Sequence, residues 1–485
     1  MKYYLYLVTL FVSTSAFGQV KVAIGKNSPQ FVAKKQPTFT SYSTADNDYF
    51  IIGKEVSYQK INTLITADKT GNIITSQEIS VNMGVSNNTV DVVDLMIFGN
   101  RSLIFLQNKS KADLKNQLVA KVVDVNGNIA AEATPVASMD FLKLSNGGRW
   151  YTCVTPDKKH IAVIGLRPHV KGAEDVVNYY ILDENLKETG KGQFSFAGYT
   201  KELSFEGFLA SDKGDFYMTS YDYDKSYVYP VVYKFSVGGT PMIIPVMIAD
   251  PTLKNLSYTS ALNPQGDLII AGYTQKKASF SAGEIANNGT WLFNSAIPNE
   301  VKTFKAETPV QNVIARNIIH NGDTFYLIGE QYKKEEEKTT GAISPSQLSN
   351  PNYNYTHGDI SVTAFSNDGS KKFEIPISRK MNSQNFDQEL MVGTGVINNK
   401  LALIYNDKYD KYFEDKYREF GHLKVPVAVL ITNDGLMEAP VQFSKELDIK
   451  ISTYVLLPQY TVSSNGKVTV LSANSQAVKT VTFSK

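Results

Sequence analysis

The side chains best suited to specific polar contacts are concentrated in a few stretches of the chain. Tyr221-Asp222-Tyr223-Asp224 opens one, which continues to Tyr229. A second runs from Asn406 to His422 and carries Asp407, Tyr409, Asp410, Tyr412, Arg418 and His422. Aromatic rings beside carboxylates can stack on sugar faces and hydrogen-bond hydroxyls. They can equally anchor a protein partner, since tyrosine offers much contact area at low entropic cost. The plainer reading is a solvated lining of loop tips. Arg167-Pro168-His169 adds a guanidinium and an imidazole in a third stretch. With six arginines in the chain, bidentate capture of phosphate or carboxylate has few candidates. A fourth stretch, 331–359, joins the charged run Lys333–Lys338 to the tyrosine-bearing Pro351–His357. The charged run reads as a mobile solvated loop.

Other chemistry is poorly served. The five histidines, His160, His169, His320, His357 and His422, show no metal-ligand spacing, so no metal site is expected. Asp222 with Asp224, or Asp407 with Asp410, would suit calcium only if further oxygens converged. Neither pair sits in a full Asp-x-Asp-x-Asp-Gly loop, so no cofactor is expected. Cys153, the single cysteine, lies in the apolar run Trp150–Val154 with no histidine close in sequence, and reads as a small buried hydrophobe. No nucleophile elbow, phosphate loop or dinucleotide fingerprint appears in the right context. A net charge of +2 without basic clusters argues against nucleic acid as a partner.

The beginning of the chain has an address. Met1-Lys2, an apolar run from Tyr3 to Val12, and small residues at Ala16 and Gly18 resemble a secretory signal peptide cleaved after Gly18. The apolar run is too short to cross roughly 30 Å of hydrocarbon. The expectation is an exported protein of the periplasm or the extracellular space, monomeric, with no integral membrane segment after cleavage. With one cysteine, no disulfide within the chain can support it.

The elements that must position these residues announce themselves by repetition. Turns at Asn47, Asn100, Asp157, Gly214, Gly266, Gly322, Asn399 and Gly466 each lead into an apolar run, at intervals of 53, 57, 57, 52, 56, 77 and 67 residues. A second series alternates with the first: Asp68-Lys-Thr-Gly71, Asp124-Val-Asn-Gly127, Asp183-Glu-Asn-Leu186, Ser236-Val-Gly-Gly239, Asn367-Asp-Gly369 and Asn433-Asp-Gly435. Asn, Asp and Gly at such places favour tight hairpins. Two hairpins per unit of some fifty residues make the blade of a β-propeller. The fold class is therefore all-β, with eight four-stranded blades, or seven as the alternative, in one domain spanning 19–485. A β-sandwich would not demand a fixed two-hairpin period. Asp407–Phe420 is the clearest stretch for a short helix. Strand-like Val20–Ile24 and Val478–Phe483 are expected to share a blade and close the ring.

With Asp-x-x-Gly and Asn-Asp-Gly hairpins along nearly the whole mature chain, the protein resembles the broad superfamily of exported bacterial β-propellers. The motifs behind the resemblance are structural and bring no catalytic residue with them. In such a blade the tight turns gather at one pole. The other connections are 107–116, 166–175, 221–229, 274–288, 331–359 and 407–424; they gather at the opposite pole and mark it as the place for binding. The expected role is that of a non-enzymatic binding or scaffold protein using this face for a protein or glycan partner. The alternative is a hydrolase or lyase of extracellular polysaccharide, with its carboxylates on the same face.

Overall fold

The turn sequences act locally and set the architecture. In the computed structural model of the chain, every turn of the first series joins the innermost strand of a sheet to its second strand, and every turn of the second series joins the third to the outermost. Blade six shows the pattern. Val313–Asn321 reverses through Gly322, at φ +64°, into Thr324–Glu336; Tyr353–Ser366 then reverses through Gly369, at φ +78°, into Lys371–Ile377. Glycine reaches positive φ without the clash a side chain would suffer. Eight antiparallel sheets built this way follow one another, so the propeller has eight blades.

The structure describes residues 21–484 apart from 25–27, 30–40, 44–46, 57–58, 80–87, 99–100, 142, 144–145, 171, 197–204, 225–226, 237–238, 251–252, 277–286, 299, 308–309, 337–352, 385–389, 413–423, 443–454, 465 and 474–476. The signal peptide expected over 1–18 lies outside the described residues. Among those described, no helix is long and apolar enough to cross a membrane.

The ring closes as the terminal strands suggest. Lys21–Ile24 pairs with Ala477–Ser484, Lys21 opposite Ser484 and Ile24 opposite Val481. Blade eight thus takes its outermost strand from the beginning of the chain and the other three from the end. Apart from one small cluster on the extension of blade six, Tyr355 with Met381 and Leu390, no sheet has a core of its own. The apolar residues lie between neighbouring blades, in one buried cluster per seam around the whole ring. At the closing seam, Phe50, Ile65 and Ala67 of blade one meet Val462 and Leu471 of blade eight. Cys153 packs against the cluster between blades three and four. Burial, with help from the nearby Asp94, pushes its thiol far up, which disfavours the thiolate.

Two details of local chemistry recur. Asp68, Asp124 and Asp183 each accept hydrogen bonds from the backbone N–H groups two and four residues on, at 2.8–3.0 Å, which fixes the outer turns of blades one to three. The innermost strands of blades two, four, five, six and eight carry bulges, at Val92/Asp94, Phe205/Gly207, Asn255/Ser257, Ala315/Asn317 and Leu457/Thr461. The residue after the bulge is polar or small, and in three blades it reaches the innermost strand of the next. Thr152 Oγ1 donates to Asp94 at 2.8 Å, Asn317 Nδ2 donates to Thr394 Oγ1 at 2.7 Å, and the Ala315 N–H donates to Ser257 Oγ at 2.7 Å.

The expected contrast between the two poles needs correcting. Asp215–Asp224 and Tyr227–Ser236 pair without a break to Asp224 opposite Tyr227, so Tyr221–Tyr229 is an extended hairpin, not a long loop. Alternating tyrosines are strong strand formers. Likewise Arg101–Ser110 and Lys115–Val123 meet at a short turn, which removes 107–116 from the long connections. The charged run also belongs to a strand as far as Glu336, which pairs with Tyr353, and Lys334 Nζ lies 3.9 Å from the Tyr353 ring centroid. Of the helix expected after Asp407, the described residues show a single 3-10 turn, Tyr409–Lys411. Connections of eight residues or more between second and third strands belong to blades three, five, six and seven.

Candidate functional site

At the loop-bearing pole a cleft of about 490 Å³ opens between blade two and the outer half of blade three. Strand alternation builds its far wall. Along Asp175–Leu182, Asn178 and Tyr180 face blade two, while Val177, Tyr179 and Ile181 turn into the core shared with blade four. Gln193 and Lys191 of the outermost strand stand opposite Asn178 and Tyr180 in register. Asp140, at the end of blade two's outermost strand, lines the other side. Arg167, just past Ile161–Leu166, completes the lining from the loop.

The electrostatics leave this cleft available. Arg167 is exposed, and the hydrogen bond of its guanidinium, Nη2 to Asn178 Oδ1, is long at 3.4 Å. Lys191 pairs with Glu188 at 3.0 Å, but both are well exposed, so water screens the pair. Burial, and to a smaller degree Glu188, push the Tyr180 phenol up against the pull of Arg167 and Lys191; it stays a neutral hydroxyl. His169 braces the loop behind. Its Nδ1 lies 2.8 Å from Asp175 Oδ1, and its carbonyl accepts from Asn146 Nδ2 at 2.9 Å.

At the opposite side of the ring, the seam of blades six and seven holds charge sealed away from water. Glu330, fully buried on the second strand of blade six, receives Arg316 Nε on one oxygen at 2.7 Å. Its other oxygen contacts Arg379 Nη2 and lies 2.8 Å from His357 Nδ1. That histidine nitrogen is within ion-pair reach but out of line for a full hydrogen bond. Burial would raise the Glu330 carboxyl; Arg379, His357 and Arg316 overcome this and hold it down at about 2. Burial lowers His357, and Glu330 only partly offsets that, so the ring is neutral near pH 7. The bulge at Arg316 makes the arrangement possible, because it turns a residue of the innermost strand back toward its neighbour.

The structure separates the residues expected to form one site. Arg167 and His169 sit in blade three and Asp407–Tyr412 in blade seven, four blades away. Tyr221, Asp222, Tyr223 and Asp224 belong to the extended hairpin of blade four. Arg418 and His422 lie outside the described residues. Asp407 is buried and committed: it accepts from Lys411 Nζ, the Tyr412 hydroxyl and the Lys408 N–H at 2.8–2.9 Å. Lys411 also donates to the Ser378 carbonyl of blade six at 2.7 Å. Tyr409 and Tyr412 pack on the seam of blades six and seven, and Asp410 is exposed. Asp407 and its tyrosines thus fasten the start of the 407–424 connection. Among the described residues no group of three or more His, Cys, Asp or Glu is placed to hold a metal.

Sequence reasoning missed Glu330, Arg316, Arg379 and His357, as well as the cleft residues Tyr180, Asn178, Gln193, Lys191 and Asp140. A signal for the first group was present. Glu330 ends the apolar run Phe325-Tyr-Leu-Ile-Gly, and a charge in a buried strand needs a partner.

No family model matches the chain, and no curated protein does. Solved structures similar to it include the β-propeller domain of the Trilobed protease from Pyrococcus furiosus, at 10% identity and a TM-score of 0.42, covering 84% of this chain and 96% of that one. Another is the Pyrococcus horikoshii acylaminoacyl peptidase, at 9% identity and a TM-score of 0.41, where 91% of this chain corresponds to 58% of that one. A third is the polysaccharide lyase Uly1, at 10% identity and a TM-score of 0.38, covering 81% and 89%.

Proposed function

We propose that the chain is an exported, non-enzymatic binding or scaffold protein that takes a glycan or protein partner on its loop-bearing pole, at the cleft between blades two and three. The observation that carries this reading is the cleft's lining. An exposed guanidinium, a lysine, two planar amides and a phenol stand around one open space. Such a set reads hydroxyl-rich or mixed polar surfaces by hydrogen bonding, with the Tyr180 ring as the apolar platform. A binding role also suits the state of the neighbouring carboxylates. Asp175, behind the cleft, is spent on His169, which leaves Asp140 as the one carboxylate of the lining. Acid–base cleavage of a glycan needs a pair of carboxyl groups free to face it.

Binding of the mature chain to an array of neutral and acidic glycans, with turnover measured on every glycan bound, tests the reading. Arg167→Ala is expected to abolish binding and leave the unfolding midpoint unchanged, and Tyr180→Ala to abolish binding with some loss of midpoint, since its ring also packs on the seam with blade two. Binding that survives both substitutions would remove the cleft from the account, and turnover would replace the binder with the hydrolase or lyase. Export is tested by fractionating cells: an uncleaved cytoplasmic chain would contradict it.

A further inference from the structure

The charge cluster in blade six is incomplete. Two guanidinium groups, those of Arg316 and Arg379, face a single carboxylate, Glu330, while His357 is held neutral. The nearby acids do not make up the difference. Asp407 is occupied by Lys411 and Tyr412, and Asp359 Oδ1 accepts from the backbone N–H of Arg379 at 3.1 Å rather than from its guanidinium. Three guanidinium nitrogens are buried without a partner: Arg316 Nη2, and Arg379 Nε and Nη1. Arg379 and His357 are themselves 2% and 0% exposed.

The aromatic surroundings do not satisfy these donors. Arg316 lies over the Tyr332 ring with its guanidinium carbon 5.1 Å from the centroid, and Arg379 over Tyr405 at 5.4 Å. Stacking uses the faces of a guanidinium and leaves its edge N–H groups free. A buried cation without a counter-charge is costly, and a buried donor without an acceptor adds to that cost. Both deficits are met by one kind of guest, an anion. The open donors belong to two guanidinium groups that share one carboxylate, which suits a monovalent guest, and the burial of Arg379 limits it to a small group. Arg316, at 20% side-chain exposure on the innermost strand, is the part of the cluster that solvent reaches.

We propose that Arg316 and Arg379 form a binding site for a small carboxylate, either a free monocarboxylate or the carboxylate of a larger ligand reaching in from the central channel. This site is separate from the cleft between blades two and three and does not depend on what binds there.

The test uses the mature chain at pH 7, titrated with sodium acetate while ionic strength is held constant with a bulky sulfonate. The unfolding midpoint is expected to rise saturably, and calorimetry to show one site per chain. Arg316→Gln is expected to weaken acetate at least tenfold, whereas Lys411→Gln, which removes the cation on Asp407, leaves the affinity unchanged. Galacturonate distinguishes the sources: binding like acetate indicates the carboxylate of a larger ligand, and exclusion indicates a free small ion. If Arg316→Gln does not fold, Arg316→Lys serves, since it keeps the charge but loses the planar fork. A wild-type midpoint that does not saturate with acetate, together with no calorimetric binding, would overturn the proposal.

Discussion

Two seams of the same ring treat arginine and carboxylate in opposite ways. Between blades six and seven, Arg379 is buried against Glu330 and the Tyr405 ring, and the carboxyl is held at about 2. Between blades two and three, Arg167 stands in an open cleft with one long hydrogen bond, while Asp94, on the innermost strand, has no cation among its determining neighbours. Water touches Asp94 along the channel, yet protein surrounds it. Burial raises its carboxyl to about 6 against the pull of Thr152 and the Leu95 N–H. Asn317 of blade six occupies the register that Asp94 holds in blade two, four residues before the hairpin pair, and makes the same kind of latch with a neutral amide. Charge sealed at one seam fastens blades together. At the other, charge left open remains available to a ligand.

The largest effect is expected from breaking the sealed seam. Arg379→Ala leaves Glu330 buried with less compensation and should cost about 3–5 kcal/mol in denaturant unfolding. A loss under about 1 kcal/mol would mean that Glu330 does not depend on Arg379 for its compensation. Next comes Asp94→Asn, which copies Asn317 and should stabilise the chain by about 3 kcal/mol at pH 8, since about two pH units of raised carboxyl are removed. Destabilisation at pH 8 would show that the charge at Asp94 is needed.

The two carboxyls also give opposite responses to pH. Asp94 titrates higher when folded than when unfolded, so its stabilising share is full below about pH 4 and is lost as pH rises through about 6. Glu330 titrates lower when folded, so its share is present above about pH 4.5 and is lost as pH falls through about 2. Between pH 7 and 4, stability measured for Asp94→Asn should therefore lack the acid-side gain of the wild type, while the loss below pH 4 persists. Identical profiles across pH 7–4 would remove Asp94 as a titrating latch.

The smallest effect concerns blade three, which makes its tight turns without glycine. Lys158 and Leu186 sit at φ +59° and +62° where other blades place glycine. Leu186 packs on the seam with blade two, but Lys158 is exposed and gains nothing visible in return. Lys158→Gly should raise stability by about 0.5–1 kcal/mol, read from the unfolding midpoint. A decrease would show that the turn tolerates its strain better than the geometry implies.

How much of this was legible in the residues depends on distance along the chain. The hairpins were, because a turn such as Asp68-Lys-Thr-Gly71 carries its own hydrogen bonds and its own positive φ. The shared blade of Lys21–Ile24 and Ala477–Ser484 followed from edge strands that needed partners. Tyr221–Asp224 was misread because its acids suggested a loop, while its alternating tyrosines continue the strand. The charge cluster was out of reach. Glu330 meets Arg379 across 49 residues, and Arg316 turns toward it only through a one-residue bulge that no local pattern declares. The cleft was half visible: Arg167 was picked out by its rarity, but Tyr180 and Asn178 acquire their shared face only when blade two packs beside blade three.

The most direct measurement compares ligand binding with stability for Arg167→Ala and Tyr180→Ala beside Arg379→Ala, all in the chain from residue 19 to 485. If the open seam is the working one, the first two lose the glycan or protein partner in a chain that still folds, Arg167→Ala unfolding as the wild type does, and the third loses stability first. Partner binding that is indifferent to Arg167 and Tyr180 in a folded chain would contradict the account.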